Sequence, residues 1–334
     1  MKKFLVLVGI LAVVGLAGFG ISKAVSTSNE ETSEEFTIVT SFYPTYIAVQ
    51  NITDGIDNVR VVNLTENQSG CLHDYQLTTN DMRKLEGADV FIMNGGGMES
   101  FLDDVMKAYP DLVVIDASEG IELLGEIEGH DHTHEHEKEA EEIHDHEEDM
   151  ESHDEAEDHE HEHGDNAHVW MDPIKYLAQL QNITNGLSDA DKDNADAYAE
   201  NLSVYTEKVN DIKDQLDELK LEEHKEVIIF HEAFAYLTDY VGLEAVYCLD
   251  LDEESGLSAG EIATVIDEVQ EHDIKVLLTE TEFKDSIATN ISNETDAKVY
   301  VMTSLTSETD SKDAYIDGMQ ENINVLKTIL ADTI

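Results

Sequence analysis

Two periodicities alternate along the chain. Short β-branched and apolar runs stand at Phe36–Thr40, Val59–Asn63, Asp89–Met93 and Leu112–Ile115, and again at Glu226–Phe230, Glu244–Cys248, Lys275–Thr279 and Lys298–Met302. Between them lie stretches with helical spacing, at Thr79–Glu86, Met98–Ala108, Ala259–His272 and Lys284–Thr295. Runs this short, rich in Val, Ile and Phe, read as strands. Strands alternating with helices at this interval build parallel sheets covered on both faces. Each half of the chain supplies four. The expected fold class is α/β, in two lobes, each a mainly parallel four-stranded sheet with flanking helices.

One longer pattern separates the halves. Tyr198, Leu202, Tyr205, Val209, Ile212, Leu216 and Leu219 step by four and three, which places them on one helical face. Ser188, followed by Asp189 and Asp191, offers an N-terminal cap with acids favoured by the helix dipole. The expectation is a single rigid linking helix over 188–220, with an N-terminal lobe at 36–187 and a C-terminal lobe at 221–334. Two cores fit the length of 334 residues. A single long helix would limit hinge motion more than flexible connecting strands would.

At the N-terminus, Met1-Lys2-Lys3 precedes an apolar run from Phe4 to Ile21, and Ala24-Val25-Ser26 places small residues at cleavage spacing. Residues 1–26 are expected to act as a signal peptide or, uncleaved, as an anchor on the outer face of the membrane. Residues 27–35 read as a tether. No cysteine precedes Cys71, so a lipoprotein anchor is not expected. The mature chain is placed outside the cytoplasm, where Cys71 and Cys248 could pair or remain two thiols.

Composition changes the picture at one place. Residues 130–163 interleave ten histidines (His130, His132, His134, His136, His144, His146, His153, His159, His161 and His163) with seventeen acids and one lysine. Imidazole and carboxylate are ligands for zinc and its first-row neighbours. A segment with so few apolar residues cannot offset the entropy of ordering, so the insert at 129–165 is expected to be disordered. The net charge is −56, and without this segment fifty-eight acids still face eighteen basic residues. Such a surface attracts cations and repels nucleic acid and anionic lipid.

Three sparse histidines carry more specific chemistry. His73 lies in a loop after the second strand, His168 in the turn-forming segment before Pro173, and His231 where the strand EVIIFH ends. Open α/β sheets place ligands at such positions. One histidine there is commonly structural; three, in a chain with a histidine-rich segment, point to metal. His224 and His272 sit among charged residues and read as surface positions.

The motifs His73-Asp-Tyr-Gln-Leu77, Gly95 to Glu99 within NGGGMESFL, His168-Val-Trp-Met-Asp-Pro173 and His231-Glu-Ala-Phe-Ala-Tyr236 resemble those of the zinc-type solute-binding proteins of metal ABC importers, a family that includes metal-binding lipoproteins and adhesins. The resemblance runs from about Phe36 to the C-terminus, and zinc members carry a similar insertion where residues 130–163 stand. It implies a metal in the cleft between the lobes, with His73 and His168 as ligands from the first and His231 from the second. Where many members have a carboxylate this chain has Thr306, and where others have an acid before the first histidine it has Leu72. A water or a flexible carboxylate is therefore expected to complete the tetrahedron, with Glu280 and Glu308 as candidates; for Glu280 the favoured role is to orient a ligand histidine. Three imidazoles suit Zn2+ as the favoured cargo, suit copper or nickel too by affinity order, and suit manganese poorly. The resemblance implies a monomer that delivers zinc to a membrane permease with a cytoplasmic ATPase. The alternatives are an extracellular metal buffer or adhesin, and a manganese importer component. No His-Glu-x-x-His helix or nucleophile motif is present, so no catalytic residue is assigned.

Overall fold

The computed structural model describes residues 35–66, 72, 75–127, 165–249, 258–281, 290–291, 293–306, 309 and 311–333. Two parallel sheets carry them. The first orders β1 (Phe36–Thr40), β2 (Val59–Asn63), β3 (Val90–Met93) and β4 (Val113–Asp116) as β2-β1-β3-β4. A two-residue antiparallel pair, β5 (Leu124–Gly125) with β6 (Asp165–Asn166), follows it. The second sheet orders β7 (Lys225–Ile229), β8 (Leu243–Cys248), β9 (Val276–Thr279) and β10 (Lys298–Val301) as β10-β9-β7-β8. The central strands are buried on both faces, which is why they read as continuous apolar runs. The eight expected strands are present, with ends shifted by a residue at most. Helices α1 (Tyr43–Ile52), α2 (Thr79–Glu86) and α3 (Leu102–Ala108) cross over in the first lobe. The helical pattern at 284–295 falls largely outside the described residues, as do residues 1–34 and Cys71. Cys248 is buried at the end of β8.

The middle of the chain departs from expectation. Asp172 accepts from Ile174 N at 2.7 Å and Lys175 N at 3.3 Å, and with Pro173 in the first turn it starts a helix of its own, α4 (Pro173–Ala190). Ser188 is not a cap: it lies in the last turn of α4 and donates its hydroxyl to Thr184 O at 2.7 Å. Asp191 closes that helix, and its Oδ2 accepts from Asn194 Nδ2 and Tyr198 OH, each at 2.7 Å. The linking helix α5 therefore runs Ala195–Asp217. It is fastened at both sides. Asn201 Nδ2 donates to Ile52 O and Asp54 O in the first lobe, and Gln215 Nε2 donates to Gln320 Oε1 on the C-terminal helix α8 (Ala314–Thr333), which comes after α7 (Ala259–Glu271) in the second lobe.

A single apolar core spans both sheets. Tyr176 of α4 stacks on Tyr315 of α8 at 3.9 Å between ring centroids, and its hydroxyl lies 3.2 Å from that of Tyr205 on α5. Trp170 meets Phe42 edge-on, donates its indole N–H to Ser304 O at 2.8 Å, and accepts at its carbonyl from Tyr315 OH at 3.1 Å. A smaller cluster built on Ile228, Phe230, Val265 and Leu277 covers the other face of the second sheet, because those residues alternate with Val227, Ile229 and Leu278 of the shared core.

A shared core makes the lobes one cooperative unit. In urea, the fluorescence of the sole tryptophan, Trp170, and the far-UV circular dichroism are expected to change together. Tyr315→Ala should lower both midpoints together, at a cost of about 3–5 kcal/mol for deleting a buried ring. Two separated transitions in the unsubstituted protein would contradict the shared core.

Candidate metal centre

The strand β7 ends at Ile229, and two residues on His231 turns back, its carbonyl accepting from Phe234 N at the start of α6 (Phe234–Val241). His168 opens a short 3-10 turn, Val169–Met171, directly after β6. The two imidazoles come from opposite lobes, are both buried, and meet edge to face with ring centroids 5.2 Å apart.

Each ring is oriented through Nδ1. His168 Nδ1 lies 2.8 Å from Asn166 Oδ1, which also accepts from His168 N at 3.0 Å. The other end of the Asn166 amide settles its direction: Nδ2 donates at 3.0 Å to Glu232 O, a carbonyl that can only accept. His168 therefore carries its proton on Nδ1 and its lone pair on Nε2. His231 Nδ1 lies 3.1 Å from Glu280 Oε2. Burial alone would raise the Glu280 carboxyl, but the hydrogen bond and charge of His231, with the Ser304 donors, hold it below its ordinary value. An ionised acceptor again fixes the proton on Nδ1, so Nε2 is the ring nitrogen left to meet a metal when the His231 ring is neutral. The other Glu280 oxygen accepts from Ser304 Oγ at 2.5 Å and Ser304 N at 3.3 Å, and Thr306 Oγ1 lies 2.9 Å from Ser304 Oγ. Glu280 thus has both oxygens engaged, and Thr306 stands at the buried end of the same chain of bonds.

The loop beneath His168 explains the glycine motif. Gly95, Gly96 and Gly97 all have positive φ, and a Cβ on Gly96 would lie 3.5 Å from Ala167. Asn94 Nδ2 donates to Ala167 O at 2.9 Å, so this loop holds the residue preceding His168. Glu99 fastens the loop from inside, its Oε1 accepting from Asn94 N at 2.7 Å and its Oε2 from Gly95 N at 3.1 Å. Complete burial pushes the Glu99 carboxyl up to about 7, against the backbone N–H groups that favour its ionised form.

Of the other candidates, His224 and His272 are exposed, the latter beside Glu226 and Glu268. Leu72, preceding His73, is buried in the core. His73, Glu308 and the ten histidines of the insert lie outside the described residues. Among the described residues no group of three His, Cys, Asp or Glu side chains is assembled to hold a metal. Sequence reasoning passed over Asn166, although an amide two residues before a candidate ligand is a signal that could be weighed.

A family model described as zinc-uptake complex component A, periplasmic (ZnuA), matches residues 38–329. Over 315 residues the chain is 30% identical to the high-affinity zinc uptake system protein ZnuA of Bacillus subtilis (strain 168), with 91% of this chain and 90% of that protein covered. Its fold is similar to that of the SBP FpvC from Pseudomonas aeruginosa in complex with Mn2+ (TM-score 0.70, 22% identity, 89% of this chain and 99% of that one). It is also similar to Zn(II)-bound AdcA from Streptococcus pneumoniae (TM-score 0.68, 24% identity, 88% of this chain and 57% of that one).

Asn166→Ala removes the acceptor that orients His168 and the bridge to Glu232. Divalent-metal affinity is expected to fall roughly 10–100-fold with far-UV circular dichroism unchanged; an unaltered affinity would contradict the orienting role. Glu99 makes a prediction about pH. Its folded pKa lies above the ordinary carboxylate value, so the folded state keeps a proton that the unfolded chain releases. That contribution is present below the unfolded pKa and is lost as pH rises through about 7. Between pH 5 and 8 the protein should lose up to about 3 kcal/mol of urea stability that Glu99→Gln does not lose. Parallel pH profiles would contradict it.

Proposed function

This chain belongs to the zinc-uptake complex component A family, and on that premise we propose that it captures Zn2+ between its lobes and delivers it to an ABC permease. The family is one of solute-binding components of uptake systems, not of enzymes. The observation that carries the proposal is the pairing of His168 and His231 from opposite lobes, 5.2 Å apart between ring centroids, each with Nδ1 engaged by an oxygen acceptor. Two imidazoles held through Nδ1 direct Nε2 at a metal when neutral, and supply half of a tetrahedral zinc site. His73 is the proposed third ligand, and a water or Glu308 the fourth. Glu280, with both oxygens occupied, fits the part of an acid orienting His231.

Imidazole donors favour zinc over manganese, which seeks more oxygen. The acidic surface and the histidine-rich segment at 130–163 serve as a collector. The segment ends a few residues before His168, so metal held there samples the cleft at high effective concentration. Docking on a permease with its ATPase would loosen the interlobe contacts and release the ion. Residues 1–26 export the chain or hold it at the outer face of the cytoplasmic membrane, where it works as a monomer.

The proposal is tested by calorimetry on three proteins. Replacing His73, His168 and His231 together by Ala is expected to abolish tight one-to-one zinc binding. Deleting 130–163 should leave that binding intact and remove only weaker, additional sites. In competition, manganese should fail to displace zinc from the deletion variant. Tight binding that survives the triple substitution would overturn the site.

A further inference from the structure

The chain contains only two arginines against seventy-five acids, and both line the same cavity. This cavity, of about 220 Å3, lies between α2 and β2, the edge strand of the first sheet. Asn80, Arg83, Lys84 and Gly87 form its helical wall, at spacings of three, four and seven residues, so they make one stripe of α2 and its C-cap. Thr37 and Arg60, register partners on β1 and β2, stand opposite. A helix normally turns an apolar stripe toward its sheet. Here Leu85 does so, and beside it runs a more exposed stripe of an amide, a guanidinium and an ammonium, facing a hydroxyl and a second guanidinium.

The electrostatics are equally unusual for this molecule. Lysines such as Lys208, Lys213, Lys275 and Lys298 are paired with carboxylates. Among the described residues, neither arginine takes an ion pair or hydrogen bond. Lys84 is held by neutral carbonyls, with Nζ 2.8 Å from both Asn63 O and Leu64 O, and Glu66 is 3.7 Å away. Asp89, at the same margin, accepts from Thr37 N at 2.8 Å. Neither acid lines the cavity.

We propose that this cavity is a binding site for a small, doubly charged oxyanion of the phosphate class. Guanidinium groups grip such anions through paired N–H donors, and the Lys84 ammonium, Asn80 amide and Thr37 hydroxyl supply further donors. Three cations match a dianion better than a single carboxylate. The net charge of −56 repels polyanions and anionic membranes at long range, whereas salt screens that field beyond about 8 Å and leaves the local cations in reach of a small ion. Thr37 and Arg60 lie near the N-terminal ends of β1 and β2, whereas the histidine pair lies past the C-terminal ends of strands, so the two sites should act independently.

The test is calorimetric titration of inorganic phosphate into the full, chelator-stripped chain in about 0.15 M salt, beside the double variant Arg60→Gln/Arg83→Gln. Saturable one-to-one binding is expected in the parent and should weaken by at least roughly tenfold in the variant. Zinc affinity and urea stability in phosphate-free buffer should not change. Absence of saturation at millimolar phosphate, or equal binding by the variant, would overturn the site. Vesicles with anionic phospholipid should not recruit the protein. Arginine-dependent recruitment without binding of free phosphate would overturn the small-ion assignment in favour of a lipid headgroup.

Discussion

The rest of the structure depends on the junction at Trp170. Its ring lies 5.1 Å from that of His168, its indole N–H holds Ser304 O, and its carbonyl receives Tyr315 OH. Ser304 in turn places its hydroxyl on Glu280, the acid that orients His231. One buried side chain of the first lobe thus bears on both histidines of the proposed site. A ligand pair split between two sheets has a defined geometry only if the sheets cannot drift, and the tyrosine stack of α4, α5 and α8 supplies that restraint. This restraint ties binding to folding. The core orders the two histidines, which would lower the entropic cost of holding an ion between them.

The second restraint is directional. Asn166 reaches from His168 to Glu232, and Tyr236 OH donates to Asn166 O at 2.5 Å while accepting from Leu124 N at 3.0 Å. The short β5–β6 pair, from which residues 128–164 depart, is therefore latched to the second lobe beside His231. A collector attached at this point would deliver metal at the seam between the lobes. Opening that seam would break the Asn166, Tyr236 and Trp170 hydrogen bonds together.

Much of this was legible in the sequence, for reasons that differ by element. The central strands announced themselves because strands buried on both faces are continuous apolar runs, as in Val276–Thr279, and the edge strands through short β-branched runs such as Val59–Asn63. Helix α4 was concealed because the turn-forming residues around Asp172-Pro173 read as a loop, although they are the cap and first turn of a helix. Ser188 attracted a capping role through its chemistry, while the actual boundary is set by Asp191 holding Tyr198 and Asn194. His168 and His231 could be picked out by their places beside strand ends; their approach to 5.2 Å could not, because it arises from packing between segments more than sixty residues apart. The convergence of Arg60 and Arg83 was hidden for the same reason, since only the sheet brings β2 and α2 together.

The central claim is that a zinc ion is held by imidazoles drawn from both lobes. X-ray absorption at the zinc edge, on protein lacking residues 130–163 and loaded with one equivalent, tests it most directly. A four-coordinate first shell dominated by imidazole nitrogen at about 2.0–2.1 Å is expected, reduced in imidazole scattering when either His168 or His231 is replaced. An all-oxygen shell, a sulfur scatterer at about 2.3 Å, or a shell indifferent to both substitutions would contradict it.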